Sequence, residues 1–323
     1  MTENIDPVKI EDVAQIYTKL LAEVDRYIVG QDKVVELLFI ALLTDGHVLL
    51  EGVPGIAKTS LAKTLAQTLN MSFNRIQFTP DLMPSDIIGT MVYNNKINDF
   101  EYKKGPVFKQ LIVIDEINRA PAKTQSALFE AMQEKQISME GQTHKLDQPF
   151  LVLATQNPIE FEGTYKLPEA QLDRFLFKIE MDYPSKEDET DILSRFHQNK
   201  LQFDVSGVKK IITGKKVREM QDLARQIYVK PEIITYIINL VEQTRHHPAF
   251  YLGASTRAAM VLLASAKSYA LVHQRDFVTP DDIRNLLKPV MGHRLILTPE
   301  AEMEGRTLAE LFSEINEKVE VPN

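Results

Sequence analysis

Residues 52–59 read Gly52-Val53-Pro54-Gly55-Ile56-Ala57-Lys58-Thr59, with two glycines, a lysine and a hydroxyl at the spacing of a phosphate-binding loop. A loop of this kind turns successive backbone N–H groups inward around phosphate oxygens, and the dipole of the following helix favours negative charge there. The lysine then reaches the β- and γ-phosphates and the hydroxyl meets a Mg²⁺ ion. The pattern departs from the usual one at Ala57, where glycine normally precedes the lysine. A methyl group is comfortable at that place only if φ is negative.

A second segment carries complementary chemistry. The apolar run Leu111-Ile112-Val113-Ile114 ends in Asp115-Glu116, two carboxylates where a buried strand should emerge. In open α/β sheets ligands bind at the carboxyl ends of the strands. Asp115 is therefore expected to hold Mg²⁺, with Thr59, and Glu116 to act as general base or to orient an attacking water.

Elements must bring these residues together, and the chain supplies an alternating series. Apolar positions Val13, Ile16, Tyr17, Leu20, Leu21 and Val24 recur at a helical period over 10–26, and 34–43 repeats it. Short apolar runs at 47–50, 73–78, 111–114, 150–154 and 175–179 then alternate with helical stretches at 59–69 and 122–134. Runs this short, separated by helices, are the pattern of strands buried on both faces of a parallel sheet. The fold class expected is α/β, a three-layer P-loop domain over 1–184 followed by a smaller, mainly helical domain over 185–323. Two inserts interrupt the alternation, near 90–106 and 136–147, and each reads as a hairpin with a turn at Asn94-Asn95 or Gly141. Helical periods at 187–196, 231–245, 255–272 and 280–287 make up the second domain.

Longer segments resemble one family. Gln77-Phe78-Thr79-Pro80-Asp81-Leu82-Met83-Pro84-Ser85-Asp86, Asp115-Glu116-Ile117-Asn118-Arg119-Ala120, Ala154-Thr155-Gln156-Asn157-Pro158 and the stretch 162–175 are similar to signatures of the MoxR family of AAA+ ATPases. With Gly253-Ala254-Ser255-Thr256-Arg257 the match covers nearly the whole chain. Alanine before the lysine is common in that family. The resemblance implies ATP as ligand, with Val29 and Gly30 in the segment that packs on adenine. The phosphates would be bound by Gly52, Val53, Pro54, Gly55, Ile56, Ala57, Lys58, Thr59 and Ser60.

It also implies roles for three further residues. Asn157 resembles the sensor-1 group that orients water or touches the γ-phosphate, though by position alone a cap of the Asn-Pro turn is an equal reading. Arg174 resembles the arginine finger that reaches into a neighbouring subunit's site. Arg257 resembles sensor 2, expected to reach the nucleotide of its own subunit. Arg119 could face a subunit interface or open the polar face of the next helix. The two inserts could line the pore of a ring or be plain surface hairpins.

Composition bounds the rest. Among 323 residues, 37 Lys and Arg stand against 45 Asp and Glu, a net charge of −8 that gives no global case for nucleic acid or an anionic membrane. The chain has no cysteine, which excludes a disulfide framework and thiolate metal sites. The first eleven residues are polar and acidic, and no apolar stretch approaches the ~18 residues of a membrane span, so a cytoplasmic protein is expected. The resemblance implies a homo-oligomeric ring, expected to be a hexamer, that remodels or matures protein complexes with a partner bearing a von Willebrand factor A domain. Two alternatives are the ATPase subunit of a metal chelatase and a nucleotide-gated binding module with little turnover.

Overall fold

The computed structural model of the chain describes residues 6–53, 56–157, 165, 167–198 and 207–322. Two helices, α1 (Pro7–Asp25) and α2 (Asp32–Leu43), lead into β1 (Val48–Gly52), α3 (Lys58–Thr68), β2 (Phe73–Gln77) and α4 (Pro84–Ile88). A hairpin of β3 (Gly89–Asn94) and β4 (Asp99–Lys104) precedes β5 (Leu111–Asp115), a short 3-10 turn (Ile117–Arg119) and α5 (Ala122–Glu134). A second hairpin, β6 (Gln136–Met139) and β7 (Gln142–Lys145), leads to β8 (Leu151–Gln156), α6 (Glu169–Leu172) and β9 (Phe177–Met181). The rest is mainly helical. It comprises α7 (Lys186–His197), α8 (Gly214–Gln226), α9 (Pro231–His246), β10 (Phe250–Leu252), α10 (Thr256–Val272), α11 (Pro280–Met291), β11 (Ile296–Leu297), α12 (Pro299–Met303) and α13 (Leu308–Lys318).

The five apolar runs pair in parallel in the order β2-β5-β8-β1-β9. Because side chains alternate across a strand, each run feeds two cores. Val48, Leu50, Leu111, Val113, Leu151 and Leu153 face one hydrophobic cluster. Leu49, Ile112, Ile114, Val152 and Ala154 face the other, with Leu128, Phe129 and Met132 of α5. Both faces of β5 and β8 are thus covered, which is why their sequences read as unbroken apolar runs.

α2 buries nine of its twelve residues. A helix apolar on nearly every side must be enclosed, and it lies between the sheet and the later helices. Gln221 of α8 donates to the Leu42 carbonyl (2.7 Å), and Thr44 donates to Ser268 of α10 (2.8 Å). One hydrophobic cluster accordingly runs from α1 through α3 into α8–α13, so the helical lid formed by α9–α13 shares a core with the N-terminal helices.

Several elements were not anticipated, among them the short helices α6 and α12. α8 carries Val217, Met220 and Ala224 on one face between charged residues, and α13 carries Leu311, Phe312 and Ile315. The pair β10–β11 is too short to leave a periodic signal. Among the described residues no helix is long and apolar enough to cross a membrane.

Candidate active site

Since β1, β5 and β8 are parallel neighbours, their carboxyl ends at Gly52, Asp115 and Gln156 open on the same edge of the sheet. A Cβ on Gly52 would lie 2.5 Å from Ile56 Cδ1 and 2.7 Å from the Met181 carbonyl, so the strand can leave the sheet here only as glycine. Ile56 is buried and Val53 packs on the same cluster, which anchors both flanks of the loop. Pro54 and Gly55 lie outside the described residues.

Ala57 does not meet the condition of a negative φ under which its methyl would be comfortable. Its φ is +61° and ψ +23°, the left-handed region, which costs an L-residue with a Cβ roughly 1–2 kcal/mol. This turn sets the direction of α3, whose start has no side-chain cap and whose first ladder bond is Leu61 N–H to the Ala57 carbonyl at 2.9 Å. The preceding N–H groups at the helix start have no partner within the helix, the arrangement that suits an anion. The Lys58 ammonium donates to the Gly52 carbonyl and so lies back along the loop.

The acidic side is a compact network. Asp115 has an 8% exposed side chain. It accepts from Thr59 Oγ1 at 3.2 and 3.3 Å, from Thr155 Oγ1 at 3.2 Å and from Arg75 Nε at 2.5 Å. The convergence of hydroxyl and carboxylate fits Mg²⁺, which prefers hard oxygen donors and is usually held by one or two protein groups together with substrate phosphates. Among the described residues no group of three or more His, Asp or Glu side chains could hold an ion without such help.

Glu116 has φ +57°, which turns it out of the strand immediately after Asp115, and its N–H donates to Thr155 Oγ1 (3.1 Å). Its carboxylate accepts from Gln77 Nε2 at 2.7 Å and pairs with Arg119 Nε at 3.0 Å. The 3-10 turn is what returns Arg119 to Glu116. Asn157, buried, follows β8 directly between the ends of β5 and β1.

Arg75 and Gln77 were missed by reading the sequence. Their signal is period-two polarity: both sit on the exposed side of β2 while Ile76 between them is buried, and Gln77 is in register with Asp115.

On the side expected to meet adenine, Tyr27, Ile28 and Val29 are buried, and Ile28 shares the cluster of Ile56. Gly30 has φ +74°, and a Cβ there would meet the Asp188 carboxyl at 2.7 Å. Ser185 caps α7 and bonds Asp188 (2.8 Å), which fixes that carboxylate beside Gly30.

The arginines lie at the other edge. Arg174 precedes β9, and Leu176 N–H donates to the His47 carbonyl just before β1 (2.7 Å), so Arg174 sits where strands begin. A cavity of about 230 Å³ is lined here by Gly46, His47, Lys135, Arg174, Arg257 and Arg294. The Arg174 guanidinium lies over the Phe129 ring at 5.6 Å, and Arg257 Nε is 3.7 Å from Asp173 Oδ2.

Arg257 was expected above its own phosphate loop. Instead α10 packs along α2, and its first turn rests against Asp173, a strand's length from Gly52, about 16 Å at roughly 3.3 Å per residue. His47, at the edge of this cavity, is fully buried and pushed down to about 4, chiefly because burial disfavours the charged ring. Neutral, it donates from Nε2 to the Met132 carbonyl (3.1 Å) and accepts the Val152 N–H at Nδ1 (3.0 Å).

Two family profiles match the chain. The ATPase family associated with various cellular activities (AAA) matches residues 47–177, and the AAA lid domain matches residues 242–315. The chain is 44% identical over 312 residues to the protein YeaC of Bacillus subtilis, covering 97% of each. It is 45% identical over 299 residues to the chaperone MoxR1 of Mycobacterium tuberculosis, covering 89% of this chain and 78% of that one. Protein MoxR of Methylorubrum extorquens is 30% identical, with 93% of both covered. Among solved structures, a proposed ATPase from Cytophaga hutchinsonii superposes with a TM-score of 0.89 at 44% identity, over 98% of this chain and 97% of that one.

Proposed function

The chain belongs to the MoxR family of AAA+ ATPases, and from that premise we propose a ring in which each ATP is bound by one subunit and its hydrolysis completed by arginines of the next. ATP binding and hydrolysis come with the family. The division of labour between subunits is our reading, and one observation supports it above the others. Lys58, Thr59, Asp115 and Glu116 meet at the carboxyl ends of the strands, whereas Arg174 and Arg257 line a cavity at their amino ends. A single subunit cannot bring both sets to one phosphate.

In this reading the loop 52–59 and the start of α3, with Ser60, cradle the phosphates, and Lys58 swings from the Gly52 carbonyl to a phosphate oxygen. Thr59 and Asp115 would hold Mg²⁺, which when bound would supply positive charge beside the phosphates. Arg75 must then release Asp115. Glu116 takes a proton from water, steadied by Gln77 and Arg119, and Asn157 orients that water. Val29 and Gly30 border the adenine. Arg174 and Arg257 arrive together from the neighbour and stabilise charge as the γ-phosphoryl leaves. Six subunits are proposed from the family resemblance. The lid, taken as 185–323, would couple this chemistry to remodelling of client complexes, as the name of the chaperone MoxR1 suggests, and a von Willebrand factor A domain protein as partner is proposed from the family resemblance alone.

The test is turnover per subunit against protein concentration. It should rise with concentration as rings form and fall by roughly 10²-fold or more in Glu116→Gln. Full turnover by a species that light scattering shows to be monomeric would overturn the shared site.

A further inference from the structure

Arg294, in the turn after α11, has a side chain only 3% exposed. A guanidinium carries five N–H donors in a fixed fork, and all five are used here. Nε donates to Asp173 Oδ1 (2.6 Å), Nη2 to the carbonyls of Asp173 (3.1 Å) and Phe175 (2.6 Å), and Nη1 to the carbonyls of Leu176 (3.2 Å) and Val290. The adjoining His293 reaches the Phe175 carbonyl through Nε2 (3.1 Å). The lid thus grips the backbone on both sides of Arg174. Asp173 is also shared, because its second oxygen is the partner of Arg257.

Burying a charge that could be replaced by apolar packing is weak evidence of a role in stability. What this arrangement does supply is geometric definition. Four bonds of fixed direction, one to the Asp173 carboxylate and three to carbonyls, hold the 173–176 segment against the turn after α11, and the fifth ties the guanidinium to Val290 of α11, while the Arg174 guanidinium itself lies over the Phe129 ring.

We propose that Arg294 is a positioning residue that fastens the Arg174 segment to the lid, so that Arg174 and Arg257 reach the neighbouring subunit's phosphates as one rigid unit. The proposal rests on the reading of Arg174 as a residue acting in a neighbouring site. A change in lid angle in one subunit then moves the arginines offered to the next, and ATP state passes around the ring through this clamp.

Arg294→Lys keeps the charge but loses the fork. Nucleotide affinity, measured with a fluorescent ATP analogue, should change less than twofold, because the phosphate loop lies at the opposite edge. The kcat should fall at least thirtyfold. In an Arg174→Ala background the same change should cost no more than a further twofold. Mixed with Glu116→Gln subunits, which supply intact arginines, Arg294→Lys should regain turnover, an outcome that a merely unfolded subunit could not give.

Wild-type kcat in Arg294→Lys, full multiplication of the two defects, or no rescue where Arg174→Ala is rescued would overturn the clamp. An Arg174→Ala chain turning over at the wild-type rate would instead remove the reading of Arg174 beneath it. Should Arg294→Lys fail to assemble, Asp173→Ala, which leaves four backbone acceptors in place, carries the same comparison with an expected loss of at least tenfold. Wild-type turnover in that variant overturns the proposal.

Discussion

At the scale of single residues, the phosphate loop and the acidic strand end were legible because both are local. Glycine spacing, a lysine and a carboxylate pair need only the strand that carries them. The conformation of Ala57 was not, since nothing in its neighbours announces a left-handed φ. Glycine relieves that backbone at little steric cost, so Ala57→Gly should raise stability by about 1 kcal/mol, read as the urea midpoint, with ATP affinity kept. A loss of stability would mean that the methyl makes contacts outweighing its strain.

Gln77 is equally invisible until β2 is set beside β5. Its bond to Glu116 steadies the proposed base, and Gln77→Leu should lower kcat about tenfold with KM for ATP little changed, a fraction of the roughly 10²–10⁴-fold that a general base contributes. An unchanged kcat would make that bond ornamental.

At the scale of elements, His47 ties β1, β8 and α5 together only while its ring is neutral. Its folded value of about 4 lies below the ordinary 6.5, so the unfolded chain takes up a proton first as pH falls. The stability it confers is complete above pH 6.5 and is lost as pH drops toward 4, at up to about 1.4 kcal/mol per pH unit. Buried His293, also pushed well down, acts in the same direction. Urea midpoints at pH 7.5, 6.5 and 5.5 should fall mainly between the last two, and a flat profile would contradict this.

The hairpin β3–β4 is a different kind of element. Tyr93 and Phe100 pair edge-on at 5.4 Å across its strands, yet both are exposed, with Ile97 at the turn. Phe100→Ala should therefore shift stability by less than ~1.5 kcal/mol and leave basal ATPase intact. Loss of turnover without client would place the hairpin within the catalytic assembly.

At the scale of the whole molecule, sequence patterns could announce an α/β core and a helical lid but not how the lid is hung. The α/β part was readable because strand runs and helix periods alternate. The place of Arg257 was not, because it depends on α10 packing along α2 and on the clamp at 173–176, contacts between residues more than 80 positions apart. That docking puts the second arginine beside the first and turns an expected closure within one subunit into a proposed contact between two.

The most direct test of this account is to mix Arg174→Ala with Glu116→Gln subunits, each expected to be nearly inactive alone, by about 10³-fold for the arginine. Some sites in mixed rings then pair an intact Glu116 with an intact Arg174. Turnover should reappear in the mixture, peak near equal proportions and require ring formation. If the mixture stays as inactive as its components while both variants bind ATP and co-assemble, the arginine does not act across the subunit boundary, and the shared site is wrong.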